Sequence, residues 1–349
     1  MQAITVIPMQ AGSARLDEVA DPRREEGDVL VQTLAVGVCG TDLEICRGDY
    51  GWAPPGRDRL VLGHESLGRV LEAPGSGDLR SGDLVVGIVR RPDPEPCVSC
   101  AAGEWDMCRN GRYTEHGIKQ LDGFMRERFR IDADQLVKLD PTLERTGVLL
   151  EPTSVVAKAW DHIERIAARA VWRPRVVLVL GAGPIGLLAA LLATQRGLEV
   201  HVLDRVTTGP KPGLVAGLGA SYHTGTVADA VPQAADVVVE CTGVGELALD
   251  AIDKAGPDGI VCLTGVSSAG RRLTIDPGAL NRELVLENEV VFGTVNANRR
   301  HYQAAAAALA DADQSWLERL ITRRLPLDHW SDALQRRPDD VKVVLDLAA

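Results

Sequence analysis

Aromatic residues make up only 4% of this 349-residue chain, so its interior must be built mostly from Leu, Val, Ile and Ala. Hydrophobic residues still reach 45%, and the length suits two domains better than one. An excess of positive charge is missing: the formal net charge is -11. Nucleic acid and anionic membranes need a basic face, so neither is an expected partner, although one local basic pocket is not excluded. Long apolar runs are missing as well. The best candidate, residues 176–193, is cut by three glycines and a proline and reads as strand, turn and helix rather than a membrane span. The opening Met-Gln-Ala-Ile-Thr-Val-Ile-Pro lacks the basic, apolar and cleavage-site series of a secretion signal. There is no internal repeat and no low-complexity tract. Seven cysteines is an odd count, unlike a disulfide framework, and a reducing cytoplasm is the expected location. Cys46, Cys241 and Cys262 read as small hydrophobes within the fold. The other four stand in metal-like contexts.

Three textures follow one another. Residues 1–152 alternate short apolar runs with Gly, Pro and Asp turns, which predicts a largely antiparallel, barrel-like domain. Residues 153–296 alternate helical stretches with continuous apolar strands. A helix is predicted at 152–166 and buried parallel strands at 176–180, 199–203, 236–240 and 259–263, giving a doubly wound sheet. From Asn298 come two helical stretches, an extended piece at 321–327 and a final strand at 341–347. Residues 297–349 are therefore expected to rejoin the first domain and leave it discontinuous.

The strand at 176–180 runs into Gly181-Ala182-Gly183-Pro184-Ile185-Gly186 and then an Ala/Leu-rich helix. In that context G-x-G-x-x-G is a dinucleotide fingerprint. Gly181 permits the tight turn, Gly183 lets backbone approach a pyrophosphate, and Gly186 lets helix and strand pack closely. The next strand ends at Asp204, eighteen positions after Gly186. A carboxylate there accepts hydrogen bonds from the adenosine ribose and repels a 2'-phosphate, which favours NAD over NADP. Arg205 follows immediately and is placed to bind that phosphate instead. Thr242, Leu263, Gly265 and Val266 fall at the ends of later strands, where loops border the cofactor in such sheets.

Cys39-Gly40-Thr41-Asp42 offers a thiolate in a turn, Gly63-His64-Glu65 an imidazole and a carboxylate, and Leu150-Glu151-Pro152 another carboxylate. These are donor types that zinc accepts, and a catalytic zinc site keeps one position open. Cys97-Val-Ser-Cys100, with Cys108 following, has the look of a second zinc lobe: Cys-x2-Cys presents two thiolates from one short loop. That segment is acidic around Glu95, Glu104 and Asp106, which argues against a nucleic-acid-binding finger.

In this order, C-G-T-D, G-H-E, L-E-P and G-A-G-P-I-G resemble the zinc-containing medium-chain dehydrogenases over nearly the whole chain. No cysteine lies between Cys108 and Cys241, where alcohol dehydrogenases carry a ligand near the domain junction, and Glu151 stands instead. Residues 112–119, 122–127 and Gly293-Thr294-Val295-Asn296 are similar to the glucose 1-dehydrogenase branch. The resemblance implies a GroES-like, partly open β-barrel catalytic domain and a Rossmann cofactor domain. It implies a catalytic zinc on Cys39, His64 and one or both of Glu65 and Glu151, with Asp42 orienting its neighbours. Thr41 would hydrogen-bond the reacting hydroxyl. Glu115, Glu151 and Asn296 would contact other sugar hydroxyls, and Thr294 and Asn296 would border the cofactor. The expected chemistry is metal-assisted loss of a hydroxyl proton with hydride transfer to NAD or NADP. The family's structural lobe has four cysteines; the first falls at Pro94, which cannot ligate, so Asp93 is the expected substitute and Glu95 the runner-up. A homodimer or homotetramer is expected. The alternatives are a polyol, aminocyclitol or deoxysugar dehydrogenase, or a non-catalytic NAD(P)H-binding protein, which should have lost the Cys39, His64, Glu65 and Glu151 donors.

Overall fold

A computed structural model of the chain describes residues 1–75, 77–231, 233–267 and 272–348. Its contacts divide into two compact units, Met1–Ser154 with Asn296–Ala349, and Val155–Val295. Among the described residues no helix is long and apolar enough to cross a membrane.

The first unit is built on a seven-stranded sheet. Its central strand, Val29–Val38, buries Val29, Val31, Thr33 and Ala35 while Leu30, Gln32 and Leu34 between them are more exposed, the period-two pattern of a sheet with one packed face. Glu65–Glu72 pairs with it antiparallel on one side, and Arg128–Ile131 pairs antiparallel with residues 29–32 along its other edge. On that same edge lies Lys342–Asp346, also antiparallel, with Val343 opposite Val38. The end of the chain is thus a structural strand of this unit. Phe124 and Phe129, 4.7 Å apart by ring centroids, join an aliphatic core of Val, Ile and Leu. This is the aliphatic interior that the scarcity of aromatics demanded.

The second unit is a six-stranded, wholly parallel sheet in the order Ser221–His223, Glu199–Leu203, Val176–Leu180, Ala235–Glu240, Ala255–Leu263, Val290–Gly293. Val176–Leu180 is buried on both faces, each Val or Leu contributing about 1.5–3 kcal/mol. Four of the six strands stand where the apolar runs predicted them. The edge strands Ser221–His223 and Val290–Gly293 were not anticipated, and Ala255–Leu263 begins four residues early. Gly256-Pro257-Asp258 reads as a turn, yet the chain stays in the sheet through an irregular register, with Asp258 at φ 58°.

Candidate active site and cofactor site

Cys39 follows the central strand and caps the helix Gly40–Arg47, its backbone N–H donating to Asp42 Oδ2 at 2.8 Å. The other Asp42 oxygen lies 3.4 Å from His64 Nδ1. Both side chains are buried. Because Nδ1 faces Asp42, Nε2 is the nitrogen left for a ligand. His64 is delivered by Gly63, at φ 90°, where a Cβ would press on Met125. Thr41 Oγ1 is 4.0 Å from Cys39 Sγ. Glu65 sits opposite Gly37 in the sheet, and a Cβ at Gly37 would collide with its carboxylate.

The donor atoms of Cys39, His64 and Glu65 all lie within 4.8 Å of one another. Lys342, buried on the last strand, places its ammonium against Glu65 Oε2 without hydrogen-bond alignment, and donates to the Val38 carbonyl at 3.1 Å. Burial would strip the proton from Lys342, but Glu65 and Cys39 hold it there. Burial likewise disfavours charge on His64, and Asp42 and Cys39 outweigh it. Glu151, in the first turn of the helix Leu150–Ala167, stands close enough to feel His64, Glu65, Lys342 and Asp42, though it is not one of the three clustered donors. Burial pushes its carboxyl above the usual range, with Glu65 and Asp42 adding to that and His64 and Lys342 opposing it.

This pocket gathers Cys39, Asp42, Glu65 and Glu151 against one ammonium and one imidazole. Asp42 Oδ1, His64 Nδ1 and Glu65 Oε2 are buried without an aligned hydrogen bond. A divalent cation would neutralise the excess, and a sulfur, nitrogen and oxygen donor set is what zinc takes. The residues present fit that ion.

Nearby on the same unit, Glu115 is buried and held by Arg90 at 2.9–3.0 Å, while Asn296 Nδ2 donates to its Oε1 at 2.7 Å. Asn296 has φ 62°. The two residues expected to share a polyhydroxylated ligand do meet. Arg90, which also lies 3.7 Å over the Tyr113 ring, is a partner the sequence reading missed.

In the second unit Gly181 has φ 99° and donates to the Leu203 carbonyl at 2.8 Å. A Cβ on Gly186 would strike the Gly181 carbonyl, whereas one on Gly183 would meet nothing within 4 Å. Gly183 therefore stands open to an approaching ligand at the N-cap of the helix Pro184–Gln195, where free N–H groups suit a pyrophosphate. Ala182, Pro184 and Ile185 complete the turn. Asp204 accepts from Ala182 N at 2.7 Å and Lys211 Nζ at 2.8 Å on one oxygen, and from Val206 N at 3.0 Å on the other. Burial opposes its ionisation, but Lys211 and those amides keep its pKa below the usual value. Arg205 points to solvent. At the end of the middle strand buried Glu240 accepts from the amides of Thr242, at 2.6 Å, and Gly243, at 3.1 Å. Gly265 packs so tightly there that a Cβ would collide with Gly243. Thr294 N donates to Leu263 O at 3.0 Å, while Val266 is exposed. These residues ring the carboxyl ends of the strands, and the arrangement fits a dinucleotide.

Cys97, Cys100 and Cys108 also bring their sulfurs within 4.8 Å of one another. The Arg109 amide donates to Cys97 Sγ at 3.4 Å and draws its pKa down, while burial pushes Cys100 up. Asp93 is buried, but its carboxylate accepts from Glu95 N at 2.8 Å and faces Arg112 at 3.4 Å, outside the thiol cluster. Glu95 is exposed and paired with Arg112 at 2.8 Å.

Residues 25–141 match the family model described as alcohol dehydrogenase GroES-like domain, and residues 144–347 the one described as glucose dehydrogenase C-terminus. Glucose 1-dehydrogenase of Methanocella arvoryzae is 40% identical, with all of both chains covered. That of Thermoproteus tenax is also 40% identical over 99% of each chain. The chain belongs to the glucose dehydrogenase branch of the medium-chain dehydrogenases. Among solved structures, Haloferax mediterranei glucose dehydrogenase in complex with NADP, Zn and gluconolactone is similar, with a TM-score of 0.92, 32% identity and all of both chains covered. Thermotoga maritima alcohol dehydrogenase, at 23% identity and a TM-score of 0.82, shares the fold.

Besides Arg90, three residues of this glucose dehydrogenase-branch chain escaped the sequence reading: Lys342, Lys211 and Glu240. Lys342 acts on Glu65, which lies far away in sequence, Lys211 on Asp204 across a loop, and Glu240 on the amides of the turn that follows it. Lys342 had one sequence signal: a lysine inside an otherwise apolar final strand is costly to bury unless an acid waits for it.

Proposed function

We propose that the protein is a zinc-dependent, NAD(P)-linked dehydrogenase that oxidises C1 of an aldose, with D-glucose as the first substrate and NAD preferred over NADP. The observation that carries this reading is the anion-rich cluster of half-buried Cys39 with buried His64 and Glu65, in a chain that also carries the open Gly183 turn and Asp204.

Cys39, His64 and a carboxylate of Glu65 or Glu151 would hold the metal, which supplies the Lewis acidity that lets a hydroxyl lose its proton near neutral pH. Asp42 keeps His64 in the tautomer that frees Nε2. Lys342 restrains Glu65 and offsets its charge. Thr41 accepts the hydrogen bond of the reacting hydroxyl and passes its proton outward. Glu115 and Asn296 take further hydroxyls, since an apolar alcohol would leave these buried groups unpaired. Asp204 binds the adenosine ribose hydroxyls and disfavours a 2'-phosphate, with Lys211 fixing its orientation. The triad Cys97, Cys100 and Cys108, completed by Asp93 after a turn of its carboxylate or by Glu95, would hold a second, structural zinc. Assembly into a homodimer or homotetramer completes the reading.

Initial rates of nicotinamide reduction, with NAD and then NADP, across aldoses, polyols and cyclitols test it. Glucose turnover faster with NAD supports the assignment. Turnover only with a polyol or cyclitol would replace the substrate, and faster reduction of NADP would reverse the cofactor preference.

A further inference from the structure

The first unit has a cavity of about 780 Å³ that the reaction above does not use. Pro54, Pro55 and Leu121 are among its apolar lining, and Arg57, Arg126 and Asp122 among its charged lining. The volume is that of a small-molecule site. Most of the lining charges are already matched. Arg57 pairs with Asp122 at 2.7 Å, Asp122 also accepts from Val61 N at 3.1 Å, and Arg130 reaches Glu72 at 2.6 Å.

Arg126 is the exception. It is 5% exposed, its Nε has no hydrogen-bond partner, and its contact with Glu26 is long, 3.4 Å from one terminal nitrogen. A buried guanidinium is costly when its donors go unmet. A carboxylate meeting the guanidinium edge-on would engage two nitrogens, which Glu26 does not do. Around it, alternating arginine and carboxylate groups present donors and acceptors side by side, a wall suited to hydroxyls.

The cavity shares a wall with the candidate active site. His116 lines it, and the preceding residue, Glu115, turns the other way in the same strand, Thr114–His116, toward Arg90 and Asn296. The His116 ring is fixed, donating from Nδ1 to the Asp122 carbonyl at 2.6 Å and accepting from Arg91 at 3.1 Å. Beyond Asp122 the chain is laddered onto the segment that delivers His64, with Gly123 N to Val61 O at 2.8 Å and Phe124 N to Gly63 O at 2.9 Å. A Cβ on Gly117 or Gly123 would collide with that segment. The wall thus joins the strand that carries Glu115 to the segment that delivers His64.

We propose that this cavity is a second ligand site for a small, hydroxyl-rich carboxylate, with its charged end on Arg126 and its hydroxyls across the Arg57–Asp122 pair. Occupancy is transmitted to Glu115 and His64 through the shared wall. The aldonate formed when a C1 lactone product opens has this chemistry. The binding claim stands without the catalytic reading; the effect on turnover rests on it.

Calorimetric titration of the zinc-loaded protein with D-gluconate tests the binding. The expected result is saturable binding that survives Glu115→Ala and weakens about tenfold in Arg57→Ala or Arg126→Gln, the loss of one charge-assisted contact. Arg57 is half exposed, so its variant covers the case in which Arg126→Gln fails to fold. D-Glucose in the Glu115→Ala protein, and acetate, should each bind more weakly than gluconate, since each carries half of the chemistry. Absence of saturable binding overturns the proposal. So does binding lost in Glu115→Ala yet kept in Arg57→Ala, which would place gluconate at the substrate site. Acetate or inorganic phosphate binding as tightly as gluconate overturns the hydroxyl-recognition part. In kinetics, gluconate should shift the glucose KM of the parent protein more than that of Arg57→Ala. If the parent turns over no sugar, the catalytic reading fails while the titration still decides the site.

Discussion

Two clusters of three metal-type donors, each drawn within 4.8 Å, sit in opposite surroundings. Around Cys39, His64 and Glu65 the charged neighbours are buried or half-buried: Asp42 faces the imidazole, Lys342 lies against the carboxylate, and Glu151 is close by. Around Cys97, Cys100 and Cys108 the chain is short, looped and largely open, and what touches the sulfurs is backbone amide. On the function proposed above, the first arrangement would use buried charge to control protonation and ligand exchange. The second, on the function proposed above, would only tie a loop together. Mixed sulfur, nitrogen and oxygen donors with charged neighbours suit a site for chemistry, and three sulfurs on one short segment suit a site for stability.

Substitutions can break or sharpen that contrast. The largest effect is expected for Cys39→Ser: loss of turnover and of about one zinc per chain, read by rate assay and metal analysis. Asp42→Asn keeps the helix cap but removes the charge facing His64, and should cost about 10–100-fold in activity or zinc affinity. Asp204→Ala should weaken NAD much more than NADP, as measured by fluorescence titration. Cys100→Ser should release about one zinc per chain and lower the melting temperature while leaving kcat unchanged. Unchanged zinc content in that protein would remove the structural-lobe assignment.

The smallest effect belongs to a buried carboxylate with neither metal nor partner. Both Glu289 oxygens lack hydrogen bonds, and burial, then Glu283, Glu287 and Asp253, push its pKa up to about 7. A carboxyl whose folded pKa exceeds its unfolded value favours the native state when protonated. Its contribution is full below the unfolded pKa, about 4.3, and is lost as pH rises through about 7. Glu289→Gln should therefore raise the melting temperature above neutrality and change it little in mild acid. Equal shifts at both pH values would contradict this.

Much of the site was legible in the sequence because its pieces are short and local. The Gly181–Gly186 turn has its strand before and helix after it. Cys39 and Asp42, read as a turn and found as the cap of the helix Gly40–Arg47, lie within four residues, and His64 with Glu65 are adjacent. The aliphatic strands of the parallel sheet announced themselves by unbroken apolar runs. Other features depended on distant pairing. Lys342 reaches Glu65 only because the last strand lies beside Val29–Val38, and Lys211 reaches Asp204 only after the loop between them folds back. Ser221–His223 is a three-residue edge strand with two polar side chains, too short and too polar for periodicity to expose. Asp93, expected as a fourth donor from its position beside Pro94, is drawn toward Arg112 and the Glu95 amide, charges that spacing alone could not weigh.

The most direct test follows zinc release and glucose-dependent NAD reduction on one sample during timed chelation. The account expects activity to vanish as the metal at Cys39 leaves and to return when zinc is restored. Full turnover by protein stripped of all its zinc would contradict it.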